Sequence, residues 1–185
     1  LITRDLPLLR QAAEVTSVGV SFSVGFVDEE LWPSVESGTP SPRRRLDAVR
    51  QFVDAGFTVT VLMAPILPGL TDTDESIEAT VAAIAASGAS RVVPLPLHLR
   101  PGAREWYLAW LTRTHPGLSE RYRGLFRGGS YSPAAYQREV TARVGAAARR
   151  HGLNPTRADE HRQPRHPSAV GPPAATVKAE QLSLL

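Results

Sequence analysis

Three runs rich in β-branched and aliphatic residues, separated by helical patterns, constrain this chain more than any other feature. The central run begins Val59, Thr60, Val61, Leu62, Met63 and ends in Pro68-Gly69 and Thr71-Asp72. It reads as a buried strand passing into a loop, with a helix starting after it. Residues 18–24 and 91–97 form similar runs on either side. Ser41 as N-cap and Pro42 at the first helical position open a helix with Leu46, Val49, Phe52 and Val53 on its inner face. Gly56 closes it. Thr73 or Asp74 caps the next helix, which turns Ile77, Thr80, Val81 and Ile84 inward and stops at Gly88. An earlier stripe of Leu6, Leu9, Ala12 and Ala13 predicts a helix over 6–14, and Asp28 caps a short turn at 28–31. Further helices are predicted at 102–114, 118–126 and 133–151.

Continuous apolar strands alternating with helices imply parallel pairing under helical cover, an α/β fold. Three strands are few for such a sheet, because both edges stay open. The leading helix also has no strand before it. The expectation is the C-terminal half of a larger β/α unit. Pro94 and Pro96 each remove a ladder donor, so the third strand is expected to be irregular or edge-like.

Composition narrows the function. Hydrophobic content of 42% and charged content of 21% fit a globular protein. Cysteine is absent, which removes disulfides, thiolate metal ligands and a cysteine nucleophile from this chain. No basic-then-apolar leader opens the sequence and no apolar run is long enough to cross a bilayer, so a cytoplasmic protein without a membrane partner is expected. The first residue is Leu rather than Met, which suggests a start inside a longer reading frame. A net charge of +3 permits nucleic-acid contact without arguing for it. Residues 154–176 are rich in Pro, Arg, His and Ala and read as a disordered tail.

Candidate chemistry collects at strand ends. Ser21 and Ser23 share one face of the first strand, opposite Val18, Val20, Phe22 and Val24. A small polar face fits a barrel interior or ligand cavity, and equally hydroxyls bonded to neighbouring backbone in a packed core. Arg43, Arg44 and Arg45 stand where the macrodipole disfavours cations, so one of them is expected to hold a carboxylate in its fork. Pro68-Gly69 makes a tight turn at the strand end where β/α folds bind ligands. His98 and Arg100 follow the third strand to the same end. Trp106, Tyr107 and Trp110 read as packing, or as a stacking surface for a base. Walker, GxGxxG and Gly-x-Ser-x-Gly motifs are absent.

Several phrases occur in a fixed order: Ser21-Phe22-Ser23-Val24, Asp28-Glu29-Glu30-Leu31-Trp32, Glu36-Ser37-Gly38-Thr39-Pro40-Ser41-Pro42-Arg43-Arg44-Arg45-Leu46, Ala55-Gly56, Ala64-Pro65-Ile66-Leu67-Pro68-Gly69-Leu70-Thr71-Asp72 and Leu97-His98-Leu99-Arg100. Together they resemble the C-terminal half of radical S-adenosylmethionine proteins of the spore photoproduct lyase-like, DNA repair photolyase group, in its actinobacterial branch. The resemblance covers about residues 1–152. It implies a partial β/α barrel of six parallel strands, of which this chain holds strands four to six. It also implies a 4Fe–4S cluster that reductively cleaves S-adenosylmethionine to a 5′-deoxyadenosyl radical, on ligands in a Cys-x3-Cys-x2-Cys loop. With no cysteine, this chain lacks those ligands, and the cluster half is expected upstream. By the resemblance, Ser21 and Ser23 face S-adenosylmethionine, Arg45 holds its carboxylate, and Ala64, Ile66 and His98 lie near its adenine. Nucleic acid is the implied substrate.

The chain is expected to divide into a barrel half at 1–114, a helical extension at 115–152, a linker at 153–178 and a terminal peptide at 179–185. That peptide, Gln181-Leu182-Ser183-Leu184-Leu185, resembles the motif by which bacterial repair proteins bind the DNA polymerase sliding clamp. An alternative is an inactive binding module tethered to the clamp through this peptide. A third reading is an unrelated β/α enzyme using His98, Arg100 or Arg45 on a phosphorylated substrate.

Overall fold

A computed structural model describes residues 2–155. The expected tail beyond residue 155 and the residues Gln181, Leu182, Leu184 and Leu185 lie outside the described residues. A 3-10 turn at Ile2–Asp5 leads into α1, Leu6–Ala13. Then come β1 (Val20–Ser23), the short α2 (Trp32–Val35) and α3 (Pro42–Asp54). The middle of the chain holds β2 (Val59–Ile66), α4 (Asp74–Ala86) and β3 (Arg91–Pro96). Helices α5 (Ala103–Thr114), α6 (Ser119–Leu125) and α7 (Ala134–Arg150) follow, and β4 (Asn154–Pro155) comes last.

Capping chemistry explains where the central helices start and stop. Ser41 Oγ accepts from the Arg44 N–H at the head of α3, and Thr73 Oγ1 accepts from the Ser76 N–H at 3.1 Å at the head of α4. Gly56 closes α3 at φ +91°. Its N–H reaches the Val53 carbonyl at 2.9 Å and the Phe57 N–H reaches the Phe52 carbonyl at 3.0 Å, a Schellman closure.

The four strands stand in the order β1-β2-β3-β4, all parallel. The α/β expectation is met, with two differences. The first strand begins at Val20 rather than Val18. A short fourth strand also forms where tail was expected: Asn154 and Pro155 pair with Arg91 and Val92. The Schellman turn after α7 aims the chain there, through Gly152 N–H to Arg149 and Leu153 N–H to Ala148. The prolines of β3 leave their mark, since its register with β2 shifts between Met63 and Ile66, opposite Pro94 and Pro96.

Register puts Val20 beside Val59, Phe22 beside Val61, and Val61 beside Val92. These residues share one face. Val49 and Phe52 of α3, Ile77, Val81 and Ile84 of α4, and Val140, Val144, Ala147 and Ala148 of α7 form one apolar cluster with them. Helix α7 therefore packs into the same core as the strands. The opposite face carries Ser21 and Ser23, both exposed, Thr60, Leu62 and Leu95, half-buried, and Val93, buried. A second apolar cluster lies at the carboxyl ends of the strands. Phe26 follows β1, Leu67 follows β2, and Leu97 and Leu99 follow β3; they pack with Tyr107, Trp110 and Leu111 of α5 and Tyr122 and Phe126 beside α6.

Candidate functional site

The strand ends meet where β1, β2 and β3 run into their loops. Ser21 and Ser23 do share the face opposite α3, α4 and α7, as period-two alternation requires. Ser23 Oγ donates to the Ala64 carbonyl at 2.8 Å and so ties β1 to β2. Two residues on, Gly25 lies against the β2 backbone. A Cβ there would stand 2.8 Å from the Pro65 carbonyl oxygen and 3.1 Å from Ala64 carbonyl atoms. The Ala64–Pro65 peptide is cis. Only a glycine lets the two chains approach this closely.

Arg45 holds a carboxylate, as the run of three arginines led us to expect, and that carboxylate is the chain's own Glu36. Its other bonds are also internal. Nε donates to the Pro40 carbonyl at 2.8 Å, Nη1 to the Ser23 carbonyl at 3.1 Å and Nη2 to Thr39 Oγ1 at 2.9 Å. Arg43 and Arg44 are exposed.

The remaining expected residues divide. Ala64 is half-buried at the rim beside Ser23. Ile66 points into the helix-covered core, and its carbonyl accepts from the Leu97 N–H at 3.0 Å. His98 is exposed and stacks on Tyr131, ring centroids 5.6 Å apart. The two residues also form an antiparallel bridge, so the loop before α7 is held against the end of β3. Tyr107 and Trp110 are packing residues, whereas Trp106 is 66% exposed.

Sequence reading missed the group that fixes the central loop. Asp72 is buried, 6% exposed, with three donors on its carboxylate. Gly69 N–H gives to Oδ1 at 2.6 Å; Arg121 Nη2 and the Tyr136 hydroxyl give to Oδ2, each at 2.9 Å. Next to it, Thr71 Oγ1 accepts from the Leu67 N–H at 2.8 Å. The turn after β2 is thus locked to α6 and α7. The visible signal was a Thr-Asp pair directly after Pro-Gly, a pattern whose side chains bond nearby backbone. Burial and the Asp72 carboxylate push the Tyr136 phenol well above its ordinary value. Burial raises Tyr107 to about 12 and raises Tyr122 further, the two hydroxyls being 3.1 Å apart. These phenols stay neutral and serve as hydrogen-bonding core.

Among the described residues no group of three or more His, Asp or Glu side chains could hold a metal ion. No helix there is long and apolar enough to cross a membrane.

Neither a protein-family model nor a solved structure matches the chain. Curated relatives do. The uncharacterized proteins Rv2578c of Mycobacterium tuberculosis and Mb2609c of Mycobacterium bovis are each 40% identical over 179 residues, covering 96% of this chain and 52% of their own length. The uncharacterized protein ORF301 of Acidianus two-tailed virus is 30% identical over 103 residues, 54% of this chain and 34% of that protein. The chain therefore spans about half the length of the mycobacterial relatives it matches.

Proposed function

We propose that this chain is the C-terminal half of a radical S-adenosylmethionine enzyme resembling DNA repair photolyases, contributing strands four to six of its partial barrel. One observation carries the reading. The three core helices lie on one face of a parallel sheet, while the other presents the exposed Ser21 and Ser23 beside half-buried Thr60, Leu62 and Leu95, with Val93 buried among them. Parallel sheets are ordinarily covered on both faces. A partly exposed, partly polar face opposite the helices is what the inside of a β/α barrel presents when the barrel is incomplete. The free edge of β1 is where strand three would pair. The relatives' greater length leaves room for that half.

The donor set does not fit a 4Fe–4S cluster, which needs cysteine thiolates that this chain lacks. Cluster chemistry is accordingly assigned to the upstream half, and no step is derived through it here. What this chain offers S-adenosylmethionine is the Ser21 face and the Ala64 rim. Nucleic acid as substrate has its own support. Residues 98–131 hold six arginines against two glutamates, an excess of four positive charges in a chain whose net charge is +3. That segment spans α5 and α6 at the strand ends, and it carries the exposed His98–Tyr131 stack and Trp106. Basic side chains with stacking rings suit a single-stranded or extruded base.

The coding sequence upstream of Leu1 gives the first test. An in-frame Cys-x3-Cys-x2-Cys is expected, at a distance that brings the protein near the relatives' length. A frame that opens immediately before Leu1 contradicts the proposal.

A further inference from the structure

Arg45 has the fork of a ligand anchor, yet its bonds run inward. Four acceptors from two places meet on it: the Glu36 carboxylate, Thr39 Oγ1 and the Pro40 carbonyl from the loop before α3, and the Ser23 carbonyl from the end of β1. Glu36 and Arg45 side chains are only 18% and 16% exposed. The loop they close is tied further. Thr39 Oγ1 donates to the Glu36 carbonyl at 2.7 Å and accepts from Trp32 Nε1 at 3.2 Å. Gly38 turns the loop at φ +81°.

We infer that Glu36 and Arg45 form an internal latch in which Arg45 is a positioning residue: Glu36 fixes the guanidinium, and the guanidinium fixes the Ser23 carbonyl at the rim of the polar face. A guanidinium carries five N–H donors, and here each of its three nitrogens is engaged within the chain. A half-buried ion pair that loses one partner leaves an uncompensated charge, so the latch is two-sided. Glu36 thus becomes a residue of the ligand face without touching ligand. That consequence rests on the reading of the Ser21–Ser23 face as the S-adenosylmethionine face; the latch itself does not.

Two measurements test them separately. The first uses the 185-residue chain and the indole ¹H–¹⁵N resonance of Trp32, assigned with Trp32→Phe. Glu36→Ala is expected to shift that resonance, and Glu36→Gln, which keeps an acceptor, to leave it near wild type. An indole unmoved by Glu36→Ala overturns the latch. The second is titration with S-adenosylmethionine of the longer, cluster-loaded polypeptide encoded by the same frame. Glu36→Ala is expected to weaken binding about tenfold, the low end for removing an outer-shell partner, with Glu36→Gln restoring most of it. Tighter binding in Glu36→Ala would mean that a freed Arg45 anchors the ligand itself, and would overturn its positioning role. A wild type that takes up no S-adenosylmethionine overturns the radical-enzyme reading, and the indole resonance then decides the latch by itself.

Discussion

At Asp72 one carboxylate organises three segments that are far apart in sequence: the turn at Gly69, Arg121 in α6 and Tyr136 in α7. Asp72→Ala strips the Gly69 N–H and the Tyr136 hydroxyl of their acceptor while Arg121, half exposed, turns to solvent. Urea denaturation should record a loss of about 2 kcal/mol, the order expected for buried donors left unpaired. Asp72→Asn keeps an acceptor and should cost about half as much. An Asp72→Ala variant as stable as wild type would show that the loop needs no such lock. Glu78 gives a second test at this scale. Its hydrogen bonds to Arg150 and His151 on the last turn of α7 hold its carboxyl below the ordinary value of 4.5. A depressed native value contributes stability above the unfolded value, and that contribution is lost as pH falls through the native one. The urea-midpoint difference between wild type and Glu78→Gln should be present near neutrality and shrink as pH falls below 4.5.

Along β2 the side chains alternate between two environments. Met63 is fully buried under the helices, while Leu62 is half-buried on the face without them. Met63→Ala should cost about 2–5 kcal/mol, as large-to-small core changes do. Leu62→Ala should cost clearly less, and equal losses would mean that both faces are covered. This alternation was legible in sequence: Ser21 and Ser23 against Val20 and Phe22 gave the two faces, and the inward residues of α4 fell where 3.6-residue spacing put them. The ends of elements were less legible. Strand β4 is two residues long and includes a proline, so no local pattern announces it; the turn after α7 and the edge of β3 create it. Likewise the Arg45 fork was readable, but not its occupant, because Glu36 lies nine residues away across a loop whose path only tertiary packing sets.

Over the whole molecule, charge and architecture divide between one face of the sheet and the carboxyl ends of its strands. Helices α3, α4 and α7 make the core, and α5 and α6 cap the strand ends with an arginine-rich, ring-bearing surface. If that cap meets single-stranded nucleic acid, anisotropy titrations of a labelled oligonucleotide should fall steeply with salt. Arg100→Ala, removing one phosphate contact, should reduce the log–log slope by about 0.7. Tyr131→Ala should weaken binding at every salt concentration without changing the slope. An unchanged slope in Arg100→Ala and unchanged affinity in Tyr131→Ala would remove the cap from any nucleic-acid role.

If this sheet is half of a barrel whose polar face serves a radical enzyme, the complete protein cleaves S-adenosylmethionine. The diagnostic product is 5′-deoxyadenosine. The polypeptide encoded by the whole reading frame, reconstituted anaerobically with iron and sulfide, would be incubated with S-adenosylmethionine and a strong reductant, and the product quantified by chromatography. Formation of 5′-deoxyadenosine is expected, dependent on both the reductant and the upstream cysteines. A reconstituted, folded protein that releases none would contradict it.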